Sequence, residues 1–131
     1  MLDINYNGVT LAYIGDAVIE LAVREALISS GVTDTGRLSA AAQKIVCAQT
    51  QSAVVEKLLP ILTEEEEAAY KLGRNHRISG KPKHASVSEY SRATGLEAIF
   101  GYLHLTGNTE RISQLMHTAY DDILTEINYK I

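Results

Sequence analysis

The stretch "LAYIGDAVIELAVRE", residues 11–25, decides the fold. Apolar side chains recur through it at helical spacing: Leu11, Ile14, Val18 and Leu21, with Ile19, Ala22 and Val23 beside them. The pattern predicts a helix over residues 9–29 that closes at "SSG", with Gly31 just past its C-cap. More than one side is apolar, the habit of a helix central to its domain. Two residues do not suit an ordinary core helix. Gly15 costs a helix interior roughly 1 kcal/mol relative to alanine. A carboxylate at Asp16 is costly among apolar neighbours unless its charge is compensated.

Outward from that helix the chain reads as further helices joined by turns. A second helical region starts near "TDTGRLS" and runs through "AAAQKIVCAQTQSAVVEKLLPIL" as two helices, and Pro60 breaks it. In "TEEEEAAYKLG", Thr63 is a cap, and Glu64, Glu65, Glu66 and Glu67 set negative charge at the positive end of the helix dipole. Gly73 is the expected end of that helix. "RNHRISGKPKHASVS" is the long irregular stretch. "SEYSRATGLEAIFGYLHLTG" is helical from a Ser cap to Gly107. "NTERISQLMHTAYDDILTEINYK" is a last amphipathic helix, with Ile112, Leu115, Met116, Ala119, Ile123 and Leu124 at helical spacing. Strand signals are nearly absent, and no repeat or linker divides the chain. Periodicity predicts one all-α domain over residues 1–131.

The chain of 131 residues is 46% apolar, enough for a real core. Its 12 Lys and Arg against 16 Asp and Glu leave a net charge of −4. Bulk charge therefore does not hold nucleic acid, and any such binding needs a local basic patch. One cysteine, Cys47, excludes an internal disulfide framework and a zinc cluster of several thiolates. In "KIVCAQ" it reads as a buried helix position. "MLDINYNG" lacks the charged and apolar regions of a signal peptide, and no apolar run approaches the ~20 residues of a membrane span. A cytosolic home is expected.

Asp16 is the only charged residue between Asp3 and Glu20, and Glu97 the only one between Arg92 and Glu110. Each lies mid-helix in apolar sequence shortly after a glycine, Gly15 or Gly95. One reading makes each an edge carboxylate paired with a nearby Lys or Arg. The sharper reading has them meet and share a divalent cation. Mg²⁺ takes oxygen ligands and needs only one or two protein carboxylates when a phosphate supplies the rest. Such an ion activates water in phosphodiester hydrolysis. On this reading Asp16 is a metal ligand on a buried helix, and the glycines leave room for a phosphate.

Half of the Lys and Arg fall in residues 71–92: Lys71, Arg74, Arg77, Lys81, Lys83 and Arg92, with His76 and His84 and a single acid, Glu89. A solvated surface loop is the bland alternative to a phosphate-attracting segment. The length of the loop favours function. Arg74, Asn75, Arg77, Ser79, Lys81, Lys83 and His84 are the candidate RNA contacts. Glu20 is expected to pair with Arg24, with a water of a metal shell as the alternative. His104 is expected in the core. His117 carries no signal. Gln43, Lys44, Gln49 and Gln51 are expected on a solvated face, with an RNA groove as the alternative.

"LAYIGDAVIEL" resembles the signature segment of the ribonuclease III family, which cuts double-stranded RNA. The closer resemblance is to its small bacterial branch, Mini-III, through "LTEEEEAAYKLGRN", the "SGKPKHASVSEY" loop and "ATGLEAIFGYLHL" in order. The resemblance implies a ribonuclease III endonuclease-domain fold acting as a homodimer, with one site per subunit and one cut per strand. It implies Mg²⁺ dependence, with Asp16 and Glu97 as the catalytic metal ligands, and a role in maturing precursor 23S ribosomal RNA. Ala12 and Thr94, each one turn before a carboxylate, stand where full-length ribonuclease III has acids, and its double-stranded-RNA-binding domain is not expected here. These departures match the Mini-III pattern. They imply a wetter metal shell, and binding by the dimer cleft and basic loop, aided by a ribosomal protein on the substrate. The competing expectations are a non-catalytic double-stranded-RNA-binding dimer and a helical protein-interaction module.

Overall fold

A computed structural model describes residues 6–76 and 85–130, with side chains described as far as residue 127. Among these residues there are six α-helices and no strand. They are α1 (Gly8–Ser29), α2 (Thr35–Val46), α3 (Ala48–Leu58), α4 (Glu64–Arg74), α5 (Val87–Leu105) and α6 (Thr109–Lys130). Local chemistry sets most boundaries. Asn7 caps α1 through Thr10 N–H, at 2.8 Å, and Gly31 follows its C-cap at φ 97°. Pro60 sits in a single 3₁₀ turn, Leu59–Ile61, that ends α3. Two reciprocal capping boxes start the helices flanking the loop, Thr63 with Glu66 on α4 and Ser86 with Glu89 on α5.

Glu66 does more than complement a dipole. It is buried, and Arg111 of α6 bonds its carboxylate at 2.8 Å while also donating to the Ile61 carbonyl at 2.7 Å. Burial opposes the Glu66 charge, but the Arg111 and Thr63 hydrogen bonds outweigh it and hold the carboxyl below its ordinary value.

The centre of the domain is α5, with α1 packed along it and against α2, α4 and α6. Helix α5 packs against α1, α3, α4 and α6, and nine of its residues are buried, from Ala93 to Leu103. Helix α1 buries Leu11, Ile19, Val23 and Leu27 but leaves Val9, Tyr13, Leu21 and Ile28 exposed. Of the apolar positions read from its sequence, Ile19 and Val23 are core, Ile14, Val18 and Ala22 are half-buried, and Leu21 is exposed.

Gly73 does not end α4, which runs on to Arg74. A Cβ there would stand 2.6 Å from the Thr94 carbonyl oxygen and 2.9 Å from Gly95 Cα, so the glycine admits the α5 backbone. Cys47 is not inside a helix. It is half-buried at the joint of α2 and α3, with extended backbone, and its Sγ lies 3.2 Å from Thr50 Oγ1.

Candidate active site

Helices α1 and α5 touch backbone to backbone. A Cβ on Gly15 would lie 1.7 Å from the Glu97 carbonyl oxygen, and one on Gly101 would lie 1.9 Å from the Leu11 carbonyl oxygen. This overturns the expectation that Gly15 makes room for a phosphate: α5 already fills that space. Gly95 likewise faces the Tyr70 ring, at 2.6 Å from a Cβ. The consequence for the site is direct. Asp16 follows Gly15, and Glu97 stands at the contact point, so the close crossing brings the two carboxylates together.

Asp16 and Glu97 lie within hydrogen-bond reach of each other. Their environments differ. Asp16 is exposed, contrary to the expectation of a buried position, whereas Glu97 is half-buried. Burial, the hydrogen bond to Asp16 and the Asp16 charge together push the Glu97 carboxyl up to about 8. At pH 7 without metal the Glu97 carboxyl therefore stays largely protonated beside Asp16.

Neither carboxylate forms a salt bridge with a cation among the described residues. Arg92, the sequence neighbour of Glu97, pairs with Glu56 on α3. The edge-carboxylate reading therefore fails for the described residues. Two oxygen donors side by side, unpaired by any described cation, fit a divalent hard cation. No group of three or more His, Cys, Asp or Glu suited to a metal is found among the described residues. Ala12 is buried, and the Thr94 hydroxyl donates to Tyr90 O at 2.9 Å within its own helix, so neither position adds a ligand.

Glu20 pairs with Arg24 at 2.9 Å, as expected. His104 is exposed, not in the core, because it sits near the end of α5 beyond its buried span. His117 lies 3.1 Å from Asp121.

Of the RNA-contact candidates, Arg74 and Asn75 close α4. Arg74 lies over the Tyr70 ring, 5.5 Å from its centroid, and its Nε donates to Asn75 Oδ1. A cavity of about 710 Å³ at this end is lined by Lys71, Arg74, Arg92, Ser88 and Ser91 among others, and not by Asp16 or Glu97. Lys71 is matched there by Glu67, and Arg92 by Glu56. Arg77, Ser79, Lys81, Lys83 and His84 lie outside the described residues.

Gln51 is buried rather than solvated, and accepts a hydrogen bond from the buried Tyr120. The signal was present in the sequence: Gln51, Val54, Val55 and Leu58 form one helical stripe, which puts the amide on the core side. Tyr120 shares the inner face of α6 with Leu115 and Ala119.

An all-helical domain with an acid pair at a glycine-mediated crossing is the frame into which the comparisons fall. The Ribonuclease III domain family matches residues 9–108, a span holding both carboxylates. Relatives named Mini-ribonuclease 3 are 43% identical in Symbiobacterium thermophilum, covering 87% of this chain and 88% of the relative. The Streptococcus pneumoniae relative is 43% identical, covering 88% and 93%. The crystal structure of a Fusobacterium nucleatum protein superposes with a TM-score of 0.82 at 30% identity, covering 90% of this chain and 96% of that one. The chain belongs to the ribonuclease III family, in its Mini-III branch, and is an endoribonuclease. Enzymes of this family depend on a divalent metal.

The raised Glu97 carboxyl gives a testable pH dependence. Between its unfolded value of 4.5 and about 8, the folded state binds a proton that the unfolded state has lost. Stability of the metal-free protein therefore falls as pH rises through that window. Binding a cation requires the carboxylate form and displaces the proton. Calorimetry at pH 7 in buffers of different ionisation enthalpy should detect close to one proton released per divalent cation bound. Glu97→Gln should flatten the fall in Tm between pH 5 and 8. A Tm slope identical in wild type and Glu97→Gln would remove Glu97 as the titrating group.

Proposed function

We propose that the chain is an Mg²⁺-dependent endoribonuclease that cuts double-stranded RNA as a homodimer and matures precursor 23S ribosomal RNA in the cytosol. The observation that carries this reading is the meeting of Asp16 and Glu97 with no described cation between them. The two carboxylates are the residues that would hold the metal. When bound, Mg²⁺ supplies an activated water and stabilisation of the leaving oxygen. The chain's own part is to fix two oxygens at the crossing of α1 and α5. With two protein ligands, the remaining positions are left to water and to substrate phosphate. The Mini-ribonuclease 3 relatives support an endoribonuclease of this branch, and the ribosomal substrate is what the resemblance to that branch implies.

The homodimer is supported by the exposed face of α1. Tyr13 is 82% exposed and Leu21 60%, and Asp16 lies between them on the same helix. A second copy on this face would border the carboxylates, and two-fold symmetry would present two equivalent sites to the two strands of a duplex. A ribosomal protein bound to the substrate is the proposed accessory partner.

The test is a long RNA duplex incubated with Mg²⁺ or EDTA, alongside sedimentation of the active protein. Cleavage confined to Mg²⁺, by a dimer, is expected. Binding without product at any divalent concentration would instead identify a non-catalytic duplex binder. An active species that sediments only as monomer would remove the dimer.

The basic loop is proposed to hold substrate through Arg74, Asn75, Arg77, Ser79, Lys81, Lys83 and His84. Lysines on phosphate carry no base information, so Lys81→Ala with Lys83→Ala should weaken binding to all duplexes alike. Each lost phosphate contact should lower the slope of log affinity against log salt by about one unit. Turnover at saturating RNA should change little. An unchanged salt slope would make the loop a mere connection.

A further inference from the structure

The cavity of about 710 Å³ between α3, α4 and α5 gathers cations from two helices and takes no part in the chemistry at the acid pair. On α4, Lys71 and Arg74 share one face; on α5, Ser88, Ser91 and Arg92 stand at i, i+3 and i+4. Two acids share the wall, Glu67 paired with Lys71 and Glu56 paired with Arg92. The Glu56 side chain is 66% exposed, and pairs with so exposed a partner add little to stability. Arg92 Nε, by contrast, is buried without a hydrogen-bond partner among the described residues. The guanidinium thus spends one nitrogen on an exposed acid and leaves another donor unmet. A phosphate offers several acceptor oxygens at once, and a planar fork of donors fits it. In a chain of net charge −4, a polyanion is held by local clusters of this kind.

We propose that this cleft is a subsite for a backbone phosphate of the RNA, away from the scissile bond: Arg92 leaves Glu56 for the phosphate, and Lys71, Arg74 and the Ser88 and Ser91 hydroxyls complete the contact. The inference rests on the reading of the chain as a duplex-RNA endonuclease, and it adds Arg92, Lys71 and two serines to the contacts proposed for the basic loop. Asp16 and Glu97 do not line the cleft. Arg92 lies five residues before Glu97. That spacing is about 140° around a helix and about 7.5 Å along it, so the two side chains open to different sides of α5 and meet different nucleotides. The contact therefore acts in binding and not in bond cleavage.

The test is single-turnover cleavage of a fully paired RNA duplex in Mg²⁺, with protein titrated at several salt concentrations. It gives the half-saturating protein concentration and the limiting rate for wild type, Arg92→Gln, Glu56→Gln and the double variant, with Tm measured beside them. Arg92→Gln should raise half-saturation roughly tenfold at about 0.1 M salt and lower the salt slope by about one unit, with the limiting rate unchanged. Glu56→Gln should tighten binding several-fold, because it removes the acid that competes for Arg92. In the Arg92→Gln background the Glu56 substitution should have no effect, since both act through one side chain. A pair that only ties α3 to α5 would lower Tm in both single variants and leave half-saturation and slope at wild-type values, which overturns the proposal. A Glu56→Gln gain that persists without Arg92 is a general charge effect and overturns it too. Should Arg92→Gln not fold, wild-type half-saturation in Glu56→Gln overturns it. Poly-glutamate that binds through Arg92 while the duplex does not would assign the cleft to an acidic protein instead. A wild-type protein that neither binds nor cuts the duplex removes the underlying reading as well, whereas cleavage with Arg92→Gln binding as wild type removes the subsite alone.

Discussion

Asp16→Asn is expected to abolish cleavage, by roughly 10³-fold or more, while leaving a folded protein. On the proposed reading, in which Asp16 and Glu97 would hold the metal, the magnitude follows from losing several kcal/mol of transition-state stabilisation. The fold should survive because Asp16 is exposed and makes no salt bridge among the described residues. In metal-free buffer the variant should be somewhat more stable than wild type. The reason is not desolvation of Asp16, which the exposed position excludes. It is relief of Glu97, whose carboxyl is raised in part by the Asp16 charge. The gain should therefore be largest at and above pH 8 and vanish well below pH 4.5, where Glu97 is neutral in both folded and unfolded states. Glu97→Gln should lose activity to a similar degree. The double variant should lose little more than either single one, because two ligands of one ion act as a unit. Single-turnover cleavage with saturating RNA is the measurement. Activity of Asp16→Asn within tenfold of wild type would end the assignment.

Much of the fold was legible because its signals are local. Thr63 announces a helix start and does cap α4, with Glu66 closing a capping box, whereas α5 starts earlier than the Ser cap read at Ser88, because Ser86 with Glu89 forms the box that caps it. Pro60 and Gly31 act through their own backbone preferences. The two isolated carboxylates were legible as charges out of place. What sequence could not supply was the tertiary partner. Gly73 reads as a helix end because a glycine near a helix C-terminus usually is one, yet the α5 backbone occupies the space a side chain would take. Cys47 reads as a helix residue because both flanks are helical, yet it is the joint between them. Gln51 reads as solvated by type although its spacing places it among apolar residues. Helix α1 reads as apolar on more than one side, and while most of those positions are covered, Leu21 is left exposed. In each case composition describes a residue's preference, and the neighbour that overrides it comes from a distant part of the chain.

Gly15 separates the two kinds of reading most sharply, and Gly15→Ala is the substitution with the largest expected effect on stability. Helix propensity alone favours alanine by roughly 1 kcal/mol. If Gly15 served only to admit a phosphate, the variant would be at least as stable as wild type and would lose activity alone. The crossing predicts the opposite sign. The new Cβ would meet the Glu97 carbonyl oxygen at 1.7 Å and Gly101 N at 2.8 Å, and both are backbone atoms that no rotamer change can move. The helices must separate, which loosens packing along the contact between α1 and the central helix. Overpacking of this kind costs about 3 kcal/mol or more, well beyond the gain in propensity. A fall in Tm of roughly 10 °C is expected. Gly101→Ala should behave alike, since its Cβ would meet Leu11 O from the other side of the same crossing. Gly36→Ala is the control. It lies in the first turn of α2, and its Cβ would meet only Asp34 Oδ2 at 3.4 Å, so its Tm should stay within a few degrees of wild type. Because the crossing also sets Asp16 against Glu97, any Gly15→Ala protein that remains folded should bind Mg²⁺ poorly. Wild-type Tm in Gly15→Ala would mean that the helices do not touch there, and the positioning of the acid pair would need another cause.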